Sequence, residues 1–285
     1  TPVRNWRMTP LVDTHAHIYT LDMPVAPTGW HRPPADATAE QYLAALDAAG
    51  VHYGVLAAAS IYGDYNDYTI AALRRYKRLR ATVIVKPDID AYALQRMKDD
   101  GVVGVRFQWF NSNDRPDINS GEYRILLRRI ADLGWHIHLH DRGPRLPDSM
   151  AIIENAGVRL VIDHFGRSTA AHGVDQPGFD RLLDLVAAGQ AWVKLSAAHR
   201  ISELDDCQDA RAIARALINA NPARMLWGTD WPHPGAWPGQ PRDPEVIEKF
   251  HPIDDDRALQ RMSEWVSSGE WKAMLQDNPA MLYDF

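Results

Sequence analysis

Cysteine is almost absent: Cys207 is the single one in 285 residues. One thiol cannot build an internal disulfide framework, which excludes a small stapled secreted fold and fits a reducing compartment. A basic excess is absent too. Lys and Arg number 31 against 37 Asp and Glu, a formal net charge of −6, and no basic block interrupts the chain. That argues against nucleic acid as a partner. No apolar run approaches the roughly 18–20 residues that a bilayer span requires, so no membrane association is expected. No secretory signal pattern opens the chain, and the expectation is a cytoplasmic protein. Nor does a Gly-x-Gly-x-x-Gly or Walker-type loop follow an early apolar run, which weakens a nucleotide-binding reading.

What is present is an ordinary globular balance, 46% hydrophobic and 24% charged, over a length that suits one α/β barrel. One local pattern recurs. A helical stretch ends at a glycine, and an apolar run follows at once. This happens at Gly50, Gly101, Gly134, Gly157 and Gly189. Each glycine suits the left-handed position past a helix end, and such short connections belong to βα-repeat folds with a parallel sheet. Eight strands are expected: Leu11–His15, Tyr53–Ala59, Ala81–Lys86, Gly104–Trp109, His136–His140, Leu160–His164, Trp192–Ser196 and Met225–Thr229. Eight strands alternating with helices favour a (β/α)8 TIM barrel, one domain over residues 1–285, above an open doubly wound sheet. The Pro-rich stretches Met23–Pro34 and Pro232–Pro244 read as long loops after strands 1 and 8, placed to cover a site.

The polar residues gain meaning from that fold, because the active face of such a barrel lies at the C-terminal strand ends. Strand 1 ends in Val12-Asp13-Thr14-His15-Ala16-His17, whose two histidines share one face by the strand's period of two. Strand 4 carries Arg106, strand 5 carries His136, His138 and His140 on one parity, and strand 6 ends in Asp163-His164. Strand 7 contains Lys194, with His199 and Arg200 just after it, and strand 8 ends in Gly228-Thr229-Asp230. A lone histidine at a strand end is more often structural than catalytic. Arg106 could simply pair with a core carboxylate, and Lys194 could snorkel outward. A constellation converging from strands 1, 5, 6 and 8 on one rim is a different matter and points to a built site.

The segments Val12-Asp13-Thr14-His15-Ala16-His17, Val161-Ile162-Asp163-His164-Phe165-Gly166-Arg167, Trp227-Gly228-Thr229-Asp230-Trp231-Pro232-His233-Pro234 and Asn278-Pro279-Ala280-Met281-Leu282-Tyr283 resemble the amidohydrolase superfamily. Within it they are most similar to the lactonase branch that includes 2-pyrone-4,6-dicarboxylate lactonase. The resemblance runs from about Leu11 to Phe285 and implies a (β/α)8 fold and hydrolysis of a lactone, often one bearing a carboxylate. Lactone opening needs a base for water, a charge sink for the carbonyl oxygen and an acid for the departing alkoxide. The resemblance assigns the base to Asp230, with His15, His17 and His164 polarising the carbonyl.

Arg106 and Arg200 match positions that bind the substrate acid, where a guanidinium fork pairs well with a carboxylate. Arg115, Arg142 and Arg167 are weaker candidates, and Arg167 is equally readable as a loop cap. Trp109, Tyr62 and Trp231 would wall a flat ring, although barrel packing explains them equally well. One departure matters: the pyrone lactonase has a tyrosine where this chain has His140. Metal-dependent relatives, including a decarboxylase, use a histidine there. The resemblance therefore leaves two mechanisms open. One is metal-free, with His138 and His140 as substrate contacts. The other uses His15, His17, His140 and Asp230 as ligands to one divalent ion such as zinc, as a decarboxylase or amidohydrolase would. Either way the expected partner is a small lactone or carboxylate, and the oligomeric state is left open.

Overall fold

The computed structural model describes residues 10–111, 115–237 and 239–285. Eight parallel strands form one sheet in sequence order. They are β1 Val12–Ala16, β2 Tyr53–Ala57, β3 Leu79–Val83, β4 Val102–Gln108, β5 His136–His140, β6 Arg159–Ile162, β7 Ala191–Ser196 and β8 Met225–Gly228. Helices separate them, among them α1 Ala39–Ala48, α2 Asp67–Arg75, α3 Ala91–Asp100, α4 Gly121–Asp132, α5 Leu146–Asn155, α6 Phe179–Ala187, α7 Ala210–Ala220 and α8 Asp255–Trp265. This is the (β/α)8 barrel the glycine punctuation led us to expect. Gly50, Gly101, Gly134, Gly157 and Gly189 all have positive φ, between 67° and 114°, where a side chain would be strained. Of the described residues, no helix is long and apolar enough to cross a membrane.

Only β5 keeps its expected bounds; the other strands shift by one to three residues at an end, and two of these shifts have a clear physical reason. β3 lies two residues nearer the N-terminus, because Leu79 pairs with Gly54 of β2 and the Arg80 guanidinium escapes to the Asp284 carbonyl at 3.0 Å. β6 stops at Ile162 because the chain turns left-handed at His164.

The barrel closes between β8 and β1 by few main-chain bonds. The Asp230 N–H donates to the His15 carbonyl at 2.8 Å, and the His17 N–H donates to the Trp231 carbonyl at 2.7 Å. The Asp13 carboxylate clasps the same seam. It accepts from the Thr229 N–H at 2.9 Å, the Thr229 hydroxyl at 2.6 Å, the His15 N–H at 3.1 Å and the Tyr42 hydroxyl of α1 at 3.0 Å. The β1 register slips between Asp13 and Ala16. Such a slip changes which face a side chain presents, and here Asp13 meets α1 while both histidines point inward.

Between sheet and helices lies an apolar layer that includes Leu46, Leu73, Leu94, Ile130 and Leu217, all nearly inaccessible. Each such side chain contributes about 1.5–3 kcal/mol by burial. Inside the barrel the bottom is plugged by Val12, Val55, Val161, Leu226 and Tyr283. Above that plug the interior turns polar. His136, His138 and His140 climb the inner face of β5 as three successive steps, each buried.

Candidate active site

The middle layer of the barrel is organised by Asp163, just past β6 and 1% exposed. Its Oδ2 accepts from Arg106 at 2.9 Å. Its Oδ1 lies 3.1 Å from His15 Nδ1 and also takes the His138 Nε2. The other His138 nitrogen meets the Thr82 hydroxyl at 2.8 Å. Lys194 does not snorkel: it is fully buried, with Nζ donating to the Thr14 carbonyl at 2.7 Å and lying 3.4 Å from His15 Nδ1. Burial pushes the Lys194 ammonium down to about 7; Asp163 holds it up, and Arg106 pushes it further down. Burial opposes ionisation of Asp163, but His138, His15 and Arg106 together hold it well below the usual carboxylate range.

One layer higher, Asp230 stands at the floor of a cavity of about 550 Å³. Its Oδ2 is held by Arg200, at 2.7 Å from Nε and 2.6 Å from Nη2. Its Oδ1 faces three ring nitrogens: His17 Nε2 at 3.3 Å, His15 Nε2 at 3.5 Å and His164 Nε2 at 3.9 Å. None of these aligns as a good hydrogen bond. Burial alone would raise the Asp230 pKa, but Arg200, His17 and His164 keep it well below the ordinary value. Burial likewise lowers the imidazoles, His164 to about 3, so they work as neutral rings.

The tautomers follow from the partners. The carboxylate of Asp163 can only accept, so His15 carries its proton on Nδ1. The Ala57 carbonyl lies 2.7 Å from His17 Nδ1 and fixes that proton in the same way. Both Nε2 atoms then present lone pairs to each other, at 3.3 Å, and to Asp230 Oδ1. Three acceptors converge with no proton among them, so the triangle is built to take a donor or a cation. His15, His17 and Asp230 also satisfy the spacing of a metal site. A tetrahedral ion with bonds of about 2.0–2.1 Å holds its ligands roughly 3.3–3.4 Å apart, which the observed 3.3 to 3.5 Å matches. These residues therefore fit a divalent ion. His140 stands apart from that triangle and from the second compact donor group, His15, Asp163 and His164.

The residues expected from sequence divide between cavity and core. His17, His140, His164, Arg106, Arg200 and Asp230 line the cavity. His15 lies directly beneath it, fully buried. His138 is deeper still and spends its nitrogens on Thr82 and Asp163 rather than on a ligand. Trp109, expected as a ring wall, stacks on Phe107 at 4.8 Å between sheet and helices. Tyr62 packs with Tyr19, Met23 and Ile61 outside the cavity wall, and Trp231 leans on Tyr42 at 5.4 Å. In each case the ring follows strand or loop parity to the apolar side. Arg106 pairs with the core carboxylate Asp163, as its bland reading had it, and also reaches the cavity. Arg115 is tied to Asp141 at 3.1 Å.

Sequence reasoning missed Tyr19, whose buried hydroxyl points unpartnered into the cavity. Its spacing of two from His17 was an available signal. It also missed the wall made by Phe110, which stacks on His140 at 5.2 Å and 11°. The local backbone that delivers His164 is unusual. His164, Phe165, Gly166 and Arg167 have φ of 44°, 55°, 69° and 52°. Left-handed geometry costs about 1–2 kcal/mol at each non-glycine residue, and such strain is characteristic of functional positions.

Known proteins share this chain's fold and much of its sequence. The chain is 32% identical over 275 residues to 4-sulfomuconolactone hydrolase of Hydrogenophaga intermedia, covering 95% of this chain and 88% of that one. It is 30% identical over 291 residues to 2-pyrone-4,6-dicarboxylate hydrolase of Comamonas testosteroni, covering 95% and 89%. A crystal structure from Pseudomonas putida, described as a 2-pyrone-4,6-dicarboxylic acid hydrolase, superposes with a TM-score of 0.84 at 30% identity, covering 97% and 98%. The amidohydrolase family model matches residues 12–285, and the chain belongs to that family.

Proposed function

We propose that this hydrolase opens the ring of a small anionic lactone of the pyrone, muconolactone or sugar-acid type. The observation that carries the reading is the Asp230 carboxylate: Arg200 holds one oxygen, and the other is free at the cavity floor among three neutral imidazoles. The full-length similarity to two lactone hydrolases supports it. The cavity combines the aromatic walls of Tyr19 and Phe110 with the guanidinium groups of Arg167 and Arg200, the mixture a ring bearing an anion requires. The single cysteine supports a reducing, cytoplasmic setting.

The residues divide the work. The His164 Nδ1 meets the Ser196 hydroxyl at 2.9 Å. A hydroxyl can donate to that nitrogen, which leaves the proton on Nε2, aimed at the cavity to donate to the carbonyl oxygen. The free oxygen of Asp230 accepts the proton of the attacking water as the C–O bond forms. After the ring ester bond breaks, the same carboxyl returns that proton to the departing alkoxide. His17 presents its lone pair to the water, and His15, beneath the cavity, holds the Asp230 main chain through its carbonyl, which accepts from the Asp230 N–H at 2.8 Å. A divalent ion held by His15, His17 and Asp230 would supply Lewis-acid polarisation and a lowered pKa for water.

The test replaces Asp230 with Asn and assays a panel of pyrone, muconolactone and aldonolactone substrates. Turnover should fall by about 10³-fold or more, with circular dichroism unchanged. Retained turnover removes Asp230 from its role, and a wild-type enzyme that opens no lactone refutes the reading. Elemental analysis of the purified enzyme, with activity measured before and after chelation, decides whether the donor triangle works loaded.

A further inference from the structure

Among the described residues three arginines line this cavity, and two are already spent. Arg106 is paired with Asp163 at 2.9 Å and Arg200 with Asp230 at 2.6 Å. The third, Arg167, lines the same cavity and has neither a carboxylate nor a hydrogen-bond partner among the described residues. Its guanidinium lies over the Phe110 ring at 3.9 Å. Phe110 in turn stacks on His140, whose two ring nitrogens are buried and unpartnered.

The backbone explains how the cation reaches this place. The left-handed turn of residues 164–167 carries His164 at one end and Arg167 at the other, and both side chains enter one cavity. Gly166, between them, packs so tightly that an added Cβ would lie 2.5 Å from Leu182 Cδ2. A strained turn pressed on the helix layer thus presents a carbonyl-facing imidazole and a free cation together. A mere loop cap would have its guanidinium on main-chain carbonyls, as Arg145 does on the Trp109 carbonyl at 2.7 Å.

We propose that Arg167 is the receptor for the anionic substituent of the substrate, a carboxylate or sulfonate on a flat ring lying beside Phe110 and His140. A planar guanidinium pairs with either oxyanion in bidentate fashion, and unlike Arg106 and Arg200 it gives up no internal ion pair to do so. The two orphaned nitrogens of His140 are placed to donate to the same group or accept from a neighbouring hydroxyl. This deepens the lactone-hydrolase reading and rests on the cavity being its substrate site.

Binding of unreactive probes tests the assignment without requiring turnover. Calorimetry would compare benzoate, benzenesulfonate and neutral benzamide on the wild-type protein, on Arg167→Met and on Arg167→Lys. The expected result is a loss of at least 30-fold in affinity for the anions in Arg167→Met. Arg167→Lys should recover part of it, benzamide should be indifferent to both changes, and melting temperatures should stay unchanged. The ratio of benzoate to benzenesulfonate binding says which oxyanion the site prefers. Anion affinity that stays within threefold in Arg167→Met, an equal loss for benzamide, or a wild-type protein that binds no anion would each overturn the proposal. Binding that behaves as expected in a protein that opens no lactone would instead overturn the hydrolase reading and leave this one standing.

Discussion

Replacing Asp163 with Asn probes the polar interior directly. The change keeps the shape and removes one negative charge from a layer holding Arg106 and Lys194, both almost inaccessible. The Arg106–Asp163 contact is 2.9 Å. At about 3–4 Å and an effective dielectric near 20, such a pair is worth roughly 4–6 kcal/mol before desolvation. An asparagine oxygen still accepts one hydrogen bond, but its amide nitrogen is set against donors from His15 and His138. Breaking a buried pair in this way costs about 3–5 kcal/mol, and we take about 3 because one acceptor survives. For a chain of 285 residues, each kcal/mol is worth somewhat under about 2 °C, so the melting temperature should fall by about 5 °C. The assay is thermal and urea unfolding of the wild type, Asp163→Asn, Arg106→Met and the double variant. A coupling of at least about 1.5 kcal/mol is expected between the two positions. A fall below about 2 °C, or additive single effects, would show that Asp163 is not the counter-charge of the barrel.

Two further predictions concern the same interior and its seam. Lys194 titrates near 7 in the folded protein because burial lowers it, whereas an unfolded lysine titrates near 10.4. Between those values the unfolded chain binds more protons, so this group makes stability rise with pH, by up to about 1.4 kcal/mol per pH unit. Urea unfolding between pH 7 and 9 should show a shallower rise for Lys194→Met than for wild type, and parallel curves would contradict the assignment. An alanine at Gly228 would place its Cβ 2.8 Å from both the Cβ and the main-chain nitrogen of His15. It should cost about 1–3 kcal/mol by overpacking and reduce turnover by displacing His15. A Gly228→Ala enzyme with wild-type melting and turnover would mean that the β8–β1 seam is not tightly set.

Much of this protein is legible in its residues. Helix-ending glycines mark the repeat, because only glycine is free of strain at their positive φ. Strand period alone puts His136, His138 and His140 on one inward face, and it turns His15 and His17 the same way. The motif residues His17, His164, Arg200 and Asp230 do meet at one cavity, since all stand at C-terminal strand ends. Pairing was not legible. Whether a buried arginine is free or spent depends on which carboxylate lies opposite it across the barrel, and that distance is unrelated to sequence separation. So Arg106, some 57 residues from Asp163, proves to be committed, while Arg167 has no ion-pair partner among the described residues. Among the aromatic residues the strand parity was available but unused: Arg106, Gln108 and Phe110 alternate into the cavity, while Phe107 and Trp109 stack on the helix side. The sequence by itself determined the barrel and its polar rim, through local periodicity and backbone preference. Only the tertiary structure decided which of those charges neutralise one another and which remain for a substrate, because electrostatic pairing depends on distances through space.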